Sequence, residues 1–145
     1  MKIYLDNCSL QRPLDDKTQP RIRVEAEAIT EILLLCRSNF LTLVSSKALE
    51  IEVEETSNSK RRLLTFSILS SAKETVSITV EVGNRAREFE KRGFRQFDAL
   101  HLALAEVAQV DYFCTCDDKF LKKAKAQTDL KTNAVSPLEL IQELF

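Results

Sequence analysis

The sequence has few of the residues that form linkers and zinc sites. Its 145 residues include no tryptophan, two glycines, three prolines and a single histidine, His101. So few glycines and prolines leave no flexible linker, and we predict a single domain over residues 1–145. One histidine excludes sites that need two. The four cysteines form no C-x-x-C pair, so a zinc site is not expected either.

Long apolar runs are also missing from the sequence. The longest covers only residues 32–36, far less than the roughly 20 residues that a membrane-spanning helix needs. Asp6 interrupts the N-terminal apolar stretch too early for a secretory signal. We therefore predict a soluble, cytoplasmic protein that does not bind membranes and that keeps its cysteines reduced.

A surplus of positive charge is absent as well. The formal net charge is -1, from 21 basic and 22 acidic residues, which argues against binding nucleic acid by bulk attraction. Basic residues still occur in runs, at 60–62, 85–95 and 119–125. Each run is explained by a solvated helix face or by a local basic patch, and the first interpretation is the simpler one.

Short apolar strands alternate with amphipathic helices along the chain. The first strand, predicted within residues 2–7, has a continuous apolar run at residues 3–5, as in a parallel sheet that is covered on both faces. This alternation predicts an α/β fold with three layers, α/β/α, around a mainly parallel sheet. Strands are predicted at 2–7, 40–44, 76–80, 110–114 and 132–135, a polar turn at 11–16, and helices at 21–37, 47–56, 60–72, 81–92, 97–110, 118–126 and after Ser136.

Two acidic residues directly follow apolar strands. Asp6 ends the first strand, and Asp117 comes shortly after the strand at 110–114. In open α/β sheets the ligand crevice lies at the carboxyl ends of such strands, so both are candidate site residues. Each has an alternative role as a cap, Asp6 of a turn and Asp117 of the helix that follows it.

Two further acids lie on predicted helices. Glu52 falls near the centre of the apolar arc of its helix, whereas Glu50 and Glu54 point away. A carboxylate on a buried face needs a partner or a metal ion; a frayed, hydrated helix end is the alternative. Asp98 lies in the first turn of its helix, where the dipole favours negative charge. The arc around Glu52 is formed by Ala48, Leu49, Ile51 and Val53.

Four carboxylates at one sheet edge repel each other unless cations lie among them, and we expect nothing to offset their charge in the absence of metal. Ligands that are all oxygen suit Mg²⁺ or Mn²⁺. The reaction that most needs this arrangement is phosphodiester hydrolysis, in which metal ions activate water and neutralise phosphate oxygens.

The chain resembles a PIN domain, the nuclease fold of VapC-like toxins, over essentially all of its length. Asn7 departs from the small hydroxyl residue that commonly follows the first acid of the family. The resemblance is carried by four segments in the right order: Ile3-Tyr4-Leu5-Asp6, Ser46 followed six residues later by Glu52, Phe97-Asp98-Ala99-Leu100-His101-Leu102-Ala103, and Thr115-Cys116-Asp117-Asp118-Lys119-Phe120-Leu121.

The resemblance implies a metal-dependent ribonuclease that cleaves single-stranded RNA. Its protein partners would be an antitoxin or a second copy of the chain. Arg61 and Arg62 are our candidates for contacts with RNA. The acidic residues that would bind Mg²⁺ or Mn²⁺ and act in catalysis are Asp6, Glu52, Asp98 and Asp117.

Two other classes of protein fit parts of the pattern. A noncatalytic PIN-fold module would bind RNA or a protein partner without cleaving it, although the four retained acids argue against this class. A phosphoacceptor signalling domain would need an acidic pair after the first strand, whereas Asn7 follows Asp6. We predict that His101 is a hydrogen-bonded structural residue; the alternatives are a phosphate contact or a supporting role behind the metal ligands.

Overall fold

A computed structural model describes residues 1–145 and confirms the alternation of strands and helices. The strands are β1 (Lys2–Leu5), β2 (Thr42–Ser46), β3 (Glu74–Val76), β4 (Tyr112–Cys114) and β5 (Asn133–Val135). The helices are α1 (Asn7–Gln11), α2 (Pro20–Arg37), α3 (Lys47–Glu54), α4 (Ser59–Ser70), α5 (Val80–Lys91), α6 (Gln96–Val107), α7 (Asp118–Lys125) and α8 (Pro137–Leu144), with a 3₁₀ turn at Arg12–Leu14.

The five strands form one sheet in the order β3-β2-β1-β4-β5, and every pairing is parallel. The central strand β1 is covered on both faces: Ile3, Tyr4 and Leu5 are all fully buried. Its register places Tyr4 beside Val44 on one side and Phe113 on the other. The predicted three-layer α/β/α fold around a parallel sheet is therefore confirmed.

The carboxyl ends of β1, β2 and β4 lie at the same edge of the sheet, because these three strands are neighbours and run in the same direction. Leu5 pairs with Cys114, so the residues that follow β1 and β4 leave the sheet side by side. β2 ends one strand away at Ser46, where α3 begins. This edge is where the four candidate acids were predicted to meet.

The predicted strand at 76–80 is wrong in position. The observed strand β3 covers Glu74–Val76, and Thr79 already caps α5 by accepting a hydrogen bond from the Val82 backbone N–H at 3.3 Å. Val80 is 80% exposed, so the apolar alternation that suggested a strand does not face the core. Pairing with β2, in which Val76 lies beside Ser46, sets the end of the strand instead.

Two other predicted boundaries also move. The strand predicted at 40–44 is observed at Thr42–Ser46, because the chain turns through Asn39 with φ of 64° and pairing begins at Thr42 beside Lys2. The segment around the predicted polar turn is helical: α1 follows Asp6 directly and continues into the 3₁₀ turn. Local turn signals did not reveal that this segment packs beside α3 and α4.

The helix starts agree closely with the sequence. Ser46 caps α3, Asp117 caps α7, and Ser136 with Glu139 forms a complete capping box on α8. No helix of the structure combines the length and the apolar character needed to cross a membrane.

Candidate functional site

Asp6 lies at the carboxyl end of the central strand. Its carboxylate accepts hydrogen bonds from the Ser9 backbone N–H and the Cys8 thiol, both at 3.1 Å. The residue is 5% exposed, and no lysine, arginine or histidine forms an ion pair with it. Burial raises the pKa of Asp6, and hydrogen bonds from Thr115, Cys8 and Ser9 offset part of that rise. Asp6 is thus a buried carboxylate without a cationic partner.

Helix α3 carries Glu52 to the same edge of the sheet. The Ser46 hydroxyl accepts a hydrogen bond from the Leu49 backbone N–H at 3.1 Å and so fixes the start of the helix. The Glu52 side chain is 23% exposed and faces the interior, as predicted, whereas Glu50 faces a surface lysine. Ile51 was wrongly assigned to the buried arc: it is 44% exposed, because it lies on the opposite side of the helix from Leu49.

His101 orients the Glu52 side chain through a buried chain of hydrogen bonds. Its Nε2 is bonded to the Glu52 carboxylate, and its Nδ1 lies 2.6 Å from the Tyr4 hydroxyl. The Tyr4 hydroxyl lies 2.6 Å from the Ser46 hydroxyl. Because a carboxylate only accepts, Nε2 donates to Glu52; a neutral ring then accepts the Tyr4 hydroxyl proton at Nδ1. Burial raises the pKa of Tyr4 well above its usual value and keeps that hydroxyl a donor.

Asp98 and Asp117 are held by helix starts on the other side of the cleft. Asp98 lies in the first turn of α6, and Asp117 caps α7 by accepting from the Phe120 backbone N–H at 3.1 Å. Arg95 donates from Nε to Asp98 and from a terminal nitrogen to Asp117, each at 2.9 Å. Burial raises the pKa of Asp98; Arg95 opposes this rise, and the Asp117 charge adds to it.

The structure places all four predicted acids on one cleft of about 290 Å³. They do not form a closed metal cage: no group of three or more acids, histidines or cysteines surrounds a common point. The remaining lining residues are Asn7, Cys8, Gln11, Asp15, Arg61, Arg95 and His101.

Our expectation that nothing offsets the acidic charges without metal is wrong for half of the cleft. Arg95 lies between Asp98 and Asp117 and offsets the charge of these two acids. Glu52 is hydrogen-bonded to the His101 ring, and Asp6 is a buried carboxylate with no lysine, arginine or histidine beside it. The four acids offer carboxylate oxygens, which are the type of ligand that Mg²⁺ and Mn²⁺ prefer, so their chemistry fits such an ion.

Sequence reasoning missed Arg95 and Tyr4. A signal for Arg95 was present, since it precedes Asp98 by three residues at a helix start, which is a spacing for ion pairs. Nothing in the sequence indicated that Tyr4 would contact His101, because 97 residues separate them. Of the two predicted RNA contacts, Arg61 lines the cleft and pairs with Asp15, whereas Arg62 donates to the Thr56 carbonyl at 2.7 Å.

The buried charge of Asp6 predicts a pH-dependent gain in stability for Asp6→Asn. Asparagine retains an acceptor oxygen for the cap of α1 and removes the charge, so the metal-free variant should melt about 2–4 °C higher near pH 7. The pKa of Asp6 is higher in the folded parent than in the unfolded chain. The parent therefore loses stability as the pH rises above the ordinary carboxyl pKa, until the pH passes the raised pKa. The advantage of the variant should therefore shrink towards pH 4.

Melting curves in EDTA between pH 4 and pH 7 measure this difference. A variant that melts below the parent at every pH would show that ionised Asp6 stabilises the metal-free fold.

The comparisons with known proteins agree with the observed fold. No curated protein shows significant sequence similarity to the chain. Among solved structures, the fold is similar to a chain in the crystal structure of VapBC2 from Rickettsia felis bound to a DNA fragment from their promoter. The TM-score is 0.61 at 15% sequence identity, over 94% of this chain and 98% of that chain, which is a likeness of fold. The family model for the PIN domain matches residues 3–126, and the chain therefore belongs to the PIN domain family.

Proposed function

We propose that the chain is a metal-dependent endoribonuclease that hydrolyses phosphodiester bonds of single-stranded RNA. PIN domains are generally nucleases that use divalent metal ions. The observation that carries the proposal is the buried Asp6 carboxylate, which has no cationic partner and lies on a cleft with three other acids. A buried charge is costly unless it binds a counterion. The proposed ligands of Mg²⁺ or Mn²⁺ are Asp6, Glu52, Asp98 and Asp117.

Local contacts hold three of the four acids on the cleft. Asp6 is fixed by the start of α1, and Asp117 by the start of α7. His101 fixes the direction of the Glu52 carboxylate. The bound ion would supply an activated water and offset the charge of the phosphate oxygens. These contacts hold the three acids on the cleft in the metal-free protein.

RNA is the substrate that we propose, because the cleft has basic groups beside its acids. Arg61 lines the cleft at one end, near Gln11 and Asp15. Lys119 lies on the adjoining surface, and its side chain makes no hydrogen bond or ion pair. These groups supply local phosphate contacts on a chain whose net charge is close to zero.

We expect the purified protein to cleave mixed single-stranded RNA with Mg²⁺ or Mn²⁺ and to lose this activity in EDTA. Asp98→Asn should lower the rate by about a hundredfold or more, since it removes a proposed ligand. Asp118→Asn is the matched control, because Asp118 is exposed and pairs with Arg21 outside the cleft. It should stay within about twofold of the parent, as expected for a change that leaves the transition state unaltered.

Equal cleavage with and without chelator would contradict the metal mechanism. RNA binding without cleavage under any of these conditions would favour the noncatalytic alternative.

The same proposal includes an antitoxin as a protein partner. The structurally similar chain belongs to a VapBC2 complex. This chain has an apolar groove of about 560 Å³ between α2 and α4, apart from the acidic cleft. Leu34 and Leu64 on its walls are 48% and 40% exposed, so an amphipathic helix of a partner would bury them.

A further inference from the structure

Arg95 is the cation that occupies the acidic cleft in this structure. It is the only lysine or arginine that forms an ion pair with any of the four acids. Its guanidinium bridges Asp98 and Asp117 from two nitrogens, each bond 2.9 Å long. Under the proposed function, the same two carboxylates would hold the metal ion. The guanidinium and a divalent ion therefore compete for the same carboxylates.

Little holds the Arg95 side chain apart from these two bonds. The side chain is 73% exposed, and it does not cap α6, although the residue occupies the position before the first turn. An exposed arginine reaches a new position by rotating its own torsions, without movement of the backbone. Exchange of the guanidinium for an ion is therefore possible without disturbing the sheet or the helix starts.

A second, basic pocket adjoins the acidic cleft at Arg95. It has a volume of about 240 Å³ and shares Asp98 and Asp117 with the cleft. On its far side, Lys119 is exposed and unpaired, and Lys123 donates to the Gly93 carbonyl at 2.6 Å. Arg95 thus lies on the boundary between a group of anions and a free cation. A guanidinium released from the acids would remain within this boundary region.

We propose that Arg95 exchanges between two anions: the Asp98–Asp117 pair in the metal-free protein, and a phosphate of the RNA strand once a divalent ion has displaced it. The inference rests on the proposed function, since it needs an ion at the acids. Guanidinium matches the geometry of carboxylate and phosphate oxygens equally well, so one side chain serves both partners. Lys119 in the adjoining pocket provides the second charge for the same strand. Arg95 is in this view a positioning residue for substrate and a competitor of the ion.

The alternative is that the ion pairs merely fix the start of α6. Ion pairs near the surface contribute little to stability. In that case the loss of Arg95 would lower stability slightly, by the same amount with and without metal, and would leave metal affinity unchanged. If the guanidinium competes with the ion, the loss of Arg95 should instead raise the metal affinity, because it frees two ligand carboxylates.

Titration of the metal-free protein with Mn²⁺, followed by calorimetry, separates these possibilities. Arg95→Gln should bind Mn²⁺ about tenfold more tightly than the parent, and Arg95→Lys should fall between them because a single ammonium cannot bridge both acids as two guanidinium nitrogens do. The same Arg95→Gln variant should show a KM for single-stranded RNA that is about tenfold higher. Arg87→Gln is the control, since Arg87 is exposed on α5 and bonds only to Asn84.

Tighter Mn²⁺ binding together with a higher KM for RNA is a result that a purely structural role of Arg95 would not produce. Unchanged or weaker Mn²⁺ binding by Arg95→Gln would overturn the inference. If Arg95→Gln gives that result but Asp98→Asn loses Mn²⁺ binding, the proposed function stands and only the exchange of Arg95 is refuted. Absence of Mn²⁺ binding by the parent and all variants would refute both.

Discussion

Glu52→Gln is expected to lower metal-dependent RNA cleavage by about a hundredfold or more, whereas Glu50→Gln should stay within about twofold of the parent. The two residues are two positions apart on α3, but only Glu52 reaches the cleft and His101. Glu50 pairs with Lys47 on the surface at 3.1 Å. Initial rates of RNA cleavage at saturating Mg²⁺, with melting curves to confirm folding, make the comparison.

The two substitutions form a matched pair because each replaces one carboxylate with an amide of the same shape on the same helix. Loss of activity in Glu50→Gln with retention in Glu52→Gln would mean that the proposed ligand set is wrong. Equal loss in both variants would indicate a general effect of α3 rather than a ligand at position 52.

The largest expected loss of stability comes from a cluster that has no part in the proposed reaction. Arg85 donates to both oxygens of Glu106, at 2.7 and 3.1 Å, and the Lys131 backbone N–H donates to the same carboxylate at 2.9 Å. The Glu106 side chain is 5% exposed and the Arg85 side chain 17%. The Arg85 guanidinium also lies over the Phe89 ring, 4.3 Å from its centroid. The pair therefore joins α5 to α6 and to the loop before β5.

Arg85→Ala should destabilise the protein by about 3 kcal/mol, because it leaves the Glu106 charge buried without its cation. Urea unfolding measures the change. Arg87→Ala, on the same helix but exposed, should stay within about 0.5 kcal/mol of the parent. Adding Glu106→Gln to Arg85→Ala should recover part of the loss, since a neutral amide costs less to bury than a charge.

A loss below about 1 kcal/mol in Arg85→Ala would show that water reaches Glu106 and that the pair behaves like a surface pair. In either outcome, cleavage per folded molecule should match that of the parent, because neither residue lines the acidic cleft.

The sequence predicted elements well where local chemistry and burial agree. The apolar run Ile3 to Leu5 can only be a strand that is covered on both faces, and Ser46, Asp117 and Ser136 have the side chains that start helices. It failed at the strand placed at 76–80, where alternation continued past Val76 although pairing with β2 had ended. It also failed at α1, a helix of five residues that is too short to form without tertiary packing, although Asp6 caps its start.

By itself, the sequence determined the fold class and the positions at which acidic residues leave the ends of buried strands or the starts of helices. These follow from periodicity and capping, which are properties of neighbouring residues. Only the tertiary structure decided which groups pair with those acids or orient them. Arg95 reaches Asp117 across 22 residues, and Tyr4 reaches His101 across 97, because parallel pairing brings separate elements to one edge of the sheet. No local pattern records such contacts, since they depend on how the elements pack.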